Sequence, residues 1–147
     1  MKIYIAADHG GFELKNFLIR ELKKINFKAE DCGAFFYNPD DDYSDVIKGA
    51  IEKVAKNKTA RGILCCRSGI GMSIMANRHP KIRAALCFNQ EMAKKARQHN
   101  NANILCLSGD YIGQKEILAM AKIFLNTKFE GGRHQRRLRK VARYRPK

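Results

Sequence analysis

The absences in this chain exclude most classes of protein before any motif is considered. No apolar run approaches the ~20 residues needed to cross a bilayer. Met1-Lys2-Ile3-Tyr4-Ile5-Ala6-Ala7-Asp8 reaches an acid too early for a secretory h-region. The expectation is a cytoplasmic protein with no membrane partner. Prolines number only three and 45% of the residues are apolar, which argues against a disordered chain. Five cysteines, an odd number, match no zinc spacing, and four scattered histidines suggest no ligand cluster, so no metal is expected. Cys32, Cys65, Cys87 and Cys106 read as free thiols of a reducing compartment, mostly inside apolar runs. No internal repeat or linker interrupts the 147 residues, which read as one domain with a basic helix or tail at about 132–147. Acids are absent from 131–147, where eight Lys and Arg stand. Without those eight, 21 basic residues face 14 acidic ones. A basic tail raises nucleic acid as a partner. Against it, the tail has no interleaved aromatics beyond Tyr144 and no recognised nucleic-acid motif.

What is present alternates strand and helix. Apolar strand-like runs occur at Lys2–Ala7, Phe27–Cys32, Gly62–Cys66, Ile82–Cys87 and Asn103–Leu107. Between them lie amphipathic stretches: Leu14, Phe17, Leu18 and Leu22; Ile47, Ala50, Ile51 and Val54 behind a cap at Asp42 or Ser44; and Gln90–Gln98. Ile117, Met120, Ala121, Phe124 and Leu125 mark a further helix, and a last one begins near Arg133. This rhythm predicts an α/β fold, a parallel sheet covered on both faces. Right-handed crossovers then bring Asp8-His9, Cys66-Arg67-Ser68 and Ser108-Gly109-Asp110 to one edge, outside the carboxyl ends of the strands, where ligands bind.

The richest stretch is Gly62 to Gly71, a strand ending in a thiol and a short glycine-containing turn before a helix. Backbone amides at such a junction can hold an anion. Their partial charge should ease ionisation of Cys66. Adjacent Cys65 and Cys66 point to opposite faces of a strand, which makes them a poor redox pair. Asp8 and His9 could exchange protons with a substrate, and Gly10-Gly11 could let it approach. Asp8 as a cap is the plainer alternative. His99 closes a helix, where the dipole alone favours a cation. Arg133 and Arg137, four apart, share a helix face and could clamp a phosphate. Together these groups suit aldose–ketose isomerisation: Cys66 as base, the amides of Arg67, Ser68, Gly69, Ile70 and Gly71 as anion hole, the arginines as anchor. That chemistry requires no cofactor.

At Ala7-Asp8-His9-Gly10-Gly11-Phe12, Gly69-Ile70-Gly71-Met72-Ser73-Ile74, Ala76-Asn77-Arg78, Ile82-Arg83-Ala84-Ala85, Arg97-Gln98-His99-Asn100 and Glu130-Gly131-Gly132-Arg133-His134-Gln135, the chain resembles ribose-5-phosphate isomerase type B and the related galactose-6-phosphate isomerase subunits. The resemblance runs from Lys2 to about Val141. It implies interconversion of ribose 5-phosphate and ribulose 5-phosphate in the pentose phosphate pathway. It also implies a Rossmann-like three-layer α/β/α sandwich with a five-stranded parallel sheet, and a homodimer or tetramer with sites shared between subunits. By position, Cys66 would be the base and His99, helped by Asp8, would open the sugar ring. His9, Arg133 and Arg137 would hold the phosphate, Asn100 would bind substrate, and His99 and Asn100 would come from the partner. The chain departs from the family at Arg67, where a small residue is usual, at Ser68 in place of Thr, and at Asp110 in place of a phosphate-binding arginine. Arg67 is expected to offset Asp110 by pairing with it or by reaching the phosphate. A six-carbon substrate (allose or galactose 6-phosphate) is the first alternative, and a non-catalytic nucleic-acid-binding protein of the same fold is the second.

Overall fold

Three strands are apolar but for Arg61 at the start of one and Ser108 at the end of another: β1 (Ile3–Ala7), β3 (Arg61–Cys66) and β5 (Ile104–Ser108). They can be so because each is covered on both faces. Their side chains alternate between two separate cores. Ile3, Ile5, Ala7, Ile63, Cys65, Leu105 and Leu107 face one core, while Tyr4, Ala6, Leu64, Cys66, Ile104 and Cys106 face the other. The shorter β2 (Ala29–Asp31) and β4 (Ala84–Leu86) close the edges of an all-parallel sheet of order β2-β1-β3-β5-β4. The computed structural model describes residues 1–144; Arg145, Pro146 and Lys147, the end of the basic tail, lie outside the described residues.

Helices α1 (Phe12–Lys24), α5 (Gln90–Asn100) and α6 (Gln114–Asn126) cover the first face. The second face is covered by α2 (Tyr43–Val46), α3 (Lys48–Lys56) and α4 (Ile70–Ala76). A last helix, α7 (Gly132–Arg143), packs against α5. The expected α/β/α sandwich with five parallel strands is therefore present. The single helix expected behind Asp42 is broken at Ile47, which has no exposed surface. Neither proposed cap acts as one, since Asp42 stands at the N-cap without a side-chain hydrogen bond and Ser44 lies within α2. None of the helices among the described residues is long and apolar enough to cross a membrane.

From β1 the chain moves to one side of the sheet and from β3 to the other, so the strand order reverses between them. The crevice outside the carboxyl ends of β1 and β3 is the topological switch point of the sheet. Asp8-His9 and Cys66-Arg67 flank it.

Candidate active site

Cys66 ends β3 and is 6% exposed. The Gly69 amide donates to its sulfur at 3.0 Å. Gly69 has φ +78°, and a side chain there would strike Leu86 and the backbone of Leu107, so the turn that aims this amide requires glycine. The amides do not win the contest over the thiol. Burial and then the nearby Asp8 raise the Cys66 pKa, and the Gly69, Ser68 and Met72 amides lower it by less. The expectation of an easily ionised Cys66 is thus corrected, because desolvation of the thiolate outweighs partial positive charge here. The anion hole is also smaller than expected. Gly69 is engaged by the sulfur, and the Ile70 amide donates to the Ser68 hydroxyl at 3.2 Å.

Asp8 is 7% exposed and caps the short turn His9–Gly11, accepting from the Gly11 amide at 3.0 Å. Burial raises its pKa. Gly11 does not serve substrate approach. A Cβ there would lie 2.1 Å from the Cys65 carbonyl oxygen, so this glycine lets the turn after β1 close onto the end of β3. Beside it, Gly10 is covered by the stem of Arg67.

His9 is held by a residue the sequence did not single out. Asp41 Oδ1 accepts from the His9 backbone amide at 2.9 Å and lies 2.8 Å from Nδ1. That contact, ahead of all other influences, raises the His9 pKa. The other oxygen of Asp41 is buried without a hydrogen-bond partner. Asp41 lies in Asn38-Pro39-Asp40-Asp41-Asp42, where turn chemistry masks any functional acid.

The loop after β5 is stitched to the loop after β3. Ser108 Oγ donates to the Arg67 carbonyl at 2.6 Å, and the Gly109 and Asp110 amides donate to the carbonyls of Cys66 and Arg67. Arg67 Nη1 lies 3.7 Å from Asp110 Oδ2, an exposed pair. The offset anticipated for these two departures thus has a physical contact behind it.

The remaining candidates lie elsewhere. α5 runs antiparallel to the strands, so His99 and Asn100 at its end stand at the amino-terminal edge of the sheet. A strand of five residues separates them from Cys66 by roughly 15 Å or more. Arg133 and Arg137 belong to this second group, because the His134 ring between them in sequence stacks on His99 at 4.2 Å. One chain therefore unites Asp8, His9, Cys66 and residues 67–71 but does not bring His99, Asn100, Arg133 or Arg137 to them.

Two of the four histidines, His99 and His134, come together in space. Glu130 Oε2 lies 3.7 Å from His99 Nε2 and 3.6 Å from His134 Nε2. These three ligand atoms fall within 4.8 Å of one another, which corrects the expectation of no potential metal cluster. The two rings are nearly parallel (6°), so their lone pairs run side by side rather than converging on one ion. Burial and the neighbouring His99 lower the His134 pKa. Glu130 precedes α7 and His134 lies in its first turn, so no helical spacing in the sequence announced the pair.

A parallel sheet whose switch point carries a thiol, a charge-prone imidazole and an amide turn is the framework of α/β proteins that act on small anionic ligands. The chain belongs to the Ribose/Galactose Isomerase family, whose model matches residues 3–141. Among curated proteins it is 41% identical over 143 residues to a probable ribose-5-phosphate isomerase B of Mycoplasma genitalium, covering 97% of this chain and 94% of that one. The crystal structure of ribose-5-phosphate isomerase B from the same organism, with bound ribulose-5-phosphate, superposes with TM-score 0.93 at 41% identity, over 97% and 95% of the two chains. A ribose 5-phosphate isomerase of Thermotoga maritima gives 0.92 at 45% identity, over 97% and 98%.

Proposed function

We propose that this protein interconverts ribose 5-phosphate and ribulose 5-phosphate through an enediolate, in the cytoplasm and within the pentose phosphate pathway. Cys66 is the base that moves a proton between the first two sugar carbons, and the amides left open in residues 67–71 face the developing oxyanion. Protonated His9, fixed by Asp41, takes the phosphate. One observation carries the reading. A thiol capped by a 3.0 Å amide contact stands at the switch point of a chain 41% identical to an isomerase solved with ribulose-5-phosphate.

The amino-edge group completes the site from a second copy. His99, with Asp8 across the interface, opens the ring; Asn100 orients the substrate; Arg133 and Arg137 close on the phosphate. Supporting this, Ile70 and Ile74 expose one apolar face of α4 at 51% and 62%. A groove of about 690 Å³ lined by Ile82, Ala84, Leu138 and Val141 adjoins Asn100, and two apolar surfaces of this kind suit a homodimer, alone or paired into a tetramer.

Purified protein should convert ribose 5-phosphate, and Cys66→Ala should reduce kcat about a thousandfold with an unchanged melting profile. Substantial residual turnover would refute the thiolate route. Faster turnover of allose or galactose 6-phosphate than of the pentose would reassign the substrate.

A further inference from the structure

At the amino-terminal edge of the sheet, between the ends of α3 and α5, a cavity of about 540 Å³ is lined by Lys56, Lys58, Arg61, Lys81 and Arg83, with no carboxylate in its wall. Arg61 opens β3, and Arg83 immediately precedes β4, two strands away. The strand between them is pinned to both, since the Gly62 amide donates to Asn103 O and the Asn103 amide to Arg83 O. The two arginine backbones thus stand roughly 10 Å apart, two strand spacings, enough for a tetrahedral anion between their side chains.

These guanidiniums are oriented by carbonyls alone. Arg61 Nη1 donates to Ala60 O at 2.8 Å, and Arg83 Nε to Asn101 O at 2.9 Å. Arg61 Nε is sealed from solvent with no hydrogen-bond partner. Arg97 stands behind them, 3% exposed, its Nη1 held by Asn101 Oδ1 and Ala102 O. Among the described residues none of these arginines makes an ion pair, nor do Lys58 and Lys81; Lys56 has a loose one with Glu52 at 3.8 Å. Half-buried arginines ordinarily sit opposite carboxylates. Burial lowers the pKa of all three arginines, and their mutual repulsion adds to it for Arg61 and Arg97. The fold holds like charges together with unspent donors.

We propose that this cavity is a second anion site, distinct from the isomerase site, that binds the phosphate group of a small molecule between Arg61 and Arg83. It cannot be the carboxyl-edge half of the isomerase site, which lies across the length of the sheet. Asn101, which ends α5, closes one wall, but none of His99, Asn100, Arg133 and Arg137 lines it. No aromatic residue lines it, so it offers no platform for stacked bases, and its volume suits a metabolite-sized ligand.

The test is equilibrium dialysis of the full chain against inorganic phosphate and, separately, glycerol 3-phosphate. Two equivalents per chain are expected for the wild type. Arg61→Gln/Arg83→Gln should lose one of them, with at least tenfold weaker binding there, and keep isomerase activity. Arg137→Ala should lose the other. Because Arg83 also supports the chain at Asn101, Lys58→Gln/Arg61→Gln serves as a second variant with the same expected loss. Tighter binding of either small anion supports the site and identifies its source. A single equivalent abolished by Arg137→Ala overturns the proposal, as do two equivalents that both survive the cavity variants. Displacement of both anions by a single-stranded oligonucleotide that binds more tightly, and only when Arg61 and Arg83 are present, overturns it in favour of nucleic acid.

Discussion

Burial of the Cys66 sulfur and the amides around it act in opposite directions, and burial is the larger influence. The free thiol therefore ionises above its ordinary value of 9.0, and only the thiolate accepts a proton. It follows that alkylation of Cys66 by iodoacetamide, which needs the thiolate, should still be accelerating at pH 9.0. His9 has the reverse dependence. Its pKa is raised from 6.5, so the cation proposed to take the phosphate persists to higher pH and is lost as pH climbs through the folded value. Asp41→Asn should bring the alkaline rise in KM to lower pH while leaving kcat at its plateau nearly unchanged. A KM profile indifferent to the substitution sinks the role of Asp41. The Arg67–Asp110 contact is exposed and 3.7 Å long, so its coupling should stay below about 1 kcal/mol, at most about fivefold in KM. Arg67→Gly and Asp110→Arg, singly and together, measure it. Strictly multiplicative effects on KM would end the compensation idea.

Among elements, β1, β3 and β5 were legible because strands covered on both faces are continuous apolar runs. The edge strands were not legible in extent. Phe27–Cys32 and Ile82–Cys87 both read as six-residue strands, yet each pairs on one side only and keeps three residues. Pairing partners set those limits: Ile3–Ile5 accept only Ala29–Asp31. The break at Ile47 was equally hidden, because the apolar spacing survives it. The turn after β1 offers a direct test of how elements constrain one another. Gly11→Ala places a methyl against the Cys65 carbonyl, a clash worth about 3 kcal/mol. Thermal unfolding should show Tm lowered by roughly 10 °C for a chain of this size. An unchanged Tm would mean that β3 can retreat without cost. Lys15, wholly buried yet paired with Asp31 at 2.6 Å, shows the converse: a charge on an inner helix face ties α1 to the end of β2.

For the whole molecule, the decisive fact is that the candidate residues form two groups at opposite edges of one sheet. If a second copy supplies the missing group, two inactive variants should rescue each other. Cys66→Ala and His99→Asn, each inactive alone, should on subunit exchange regain about a quarter of wild-type activity, since half the dimers would carry one intact site. No recovery, with exchange verified by mass, would place both groups' work within single chains or remove His99 from the reaction.

Residue order alone determined the α/β rhythm, the thiol at the end of the third strand, and the opposed directions of Cys65 and Cys66, because these depend on neighbours in the chain and on the two-residue period of a strand. Only the tertiary structure decided that Asp41 grips His9, that Glu130 joins His99 to His134, and that Arg61 and Arg83 crowd one cavity. It also decided that Cys66 ionises above its ordinary value, since desolvation depends on every group packed around the sulfur and not on the few beside it in sequence. Contacts between residues far apart in the chain exist only once the sheet has set its order.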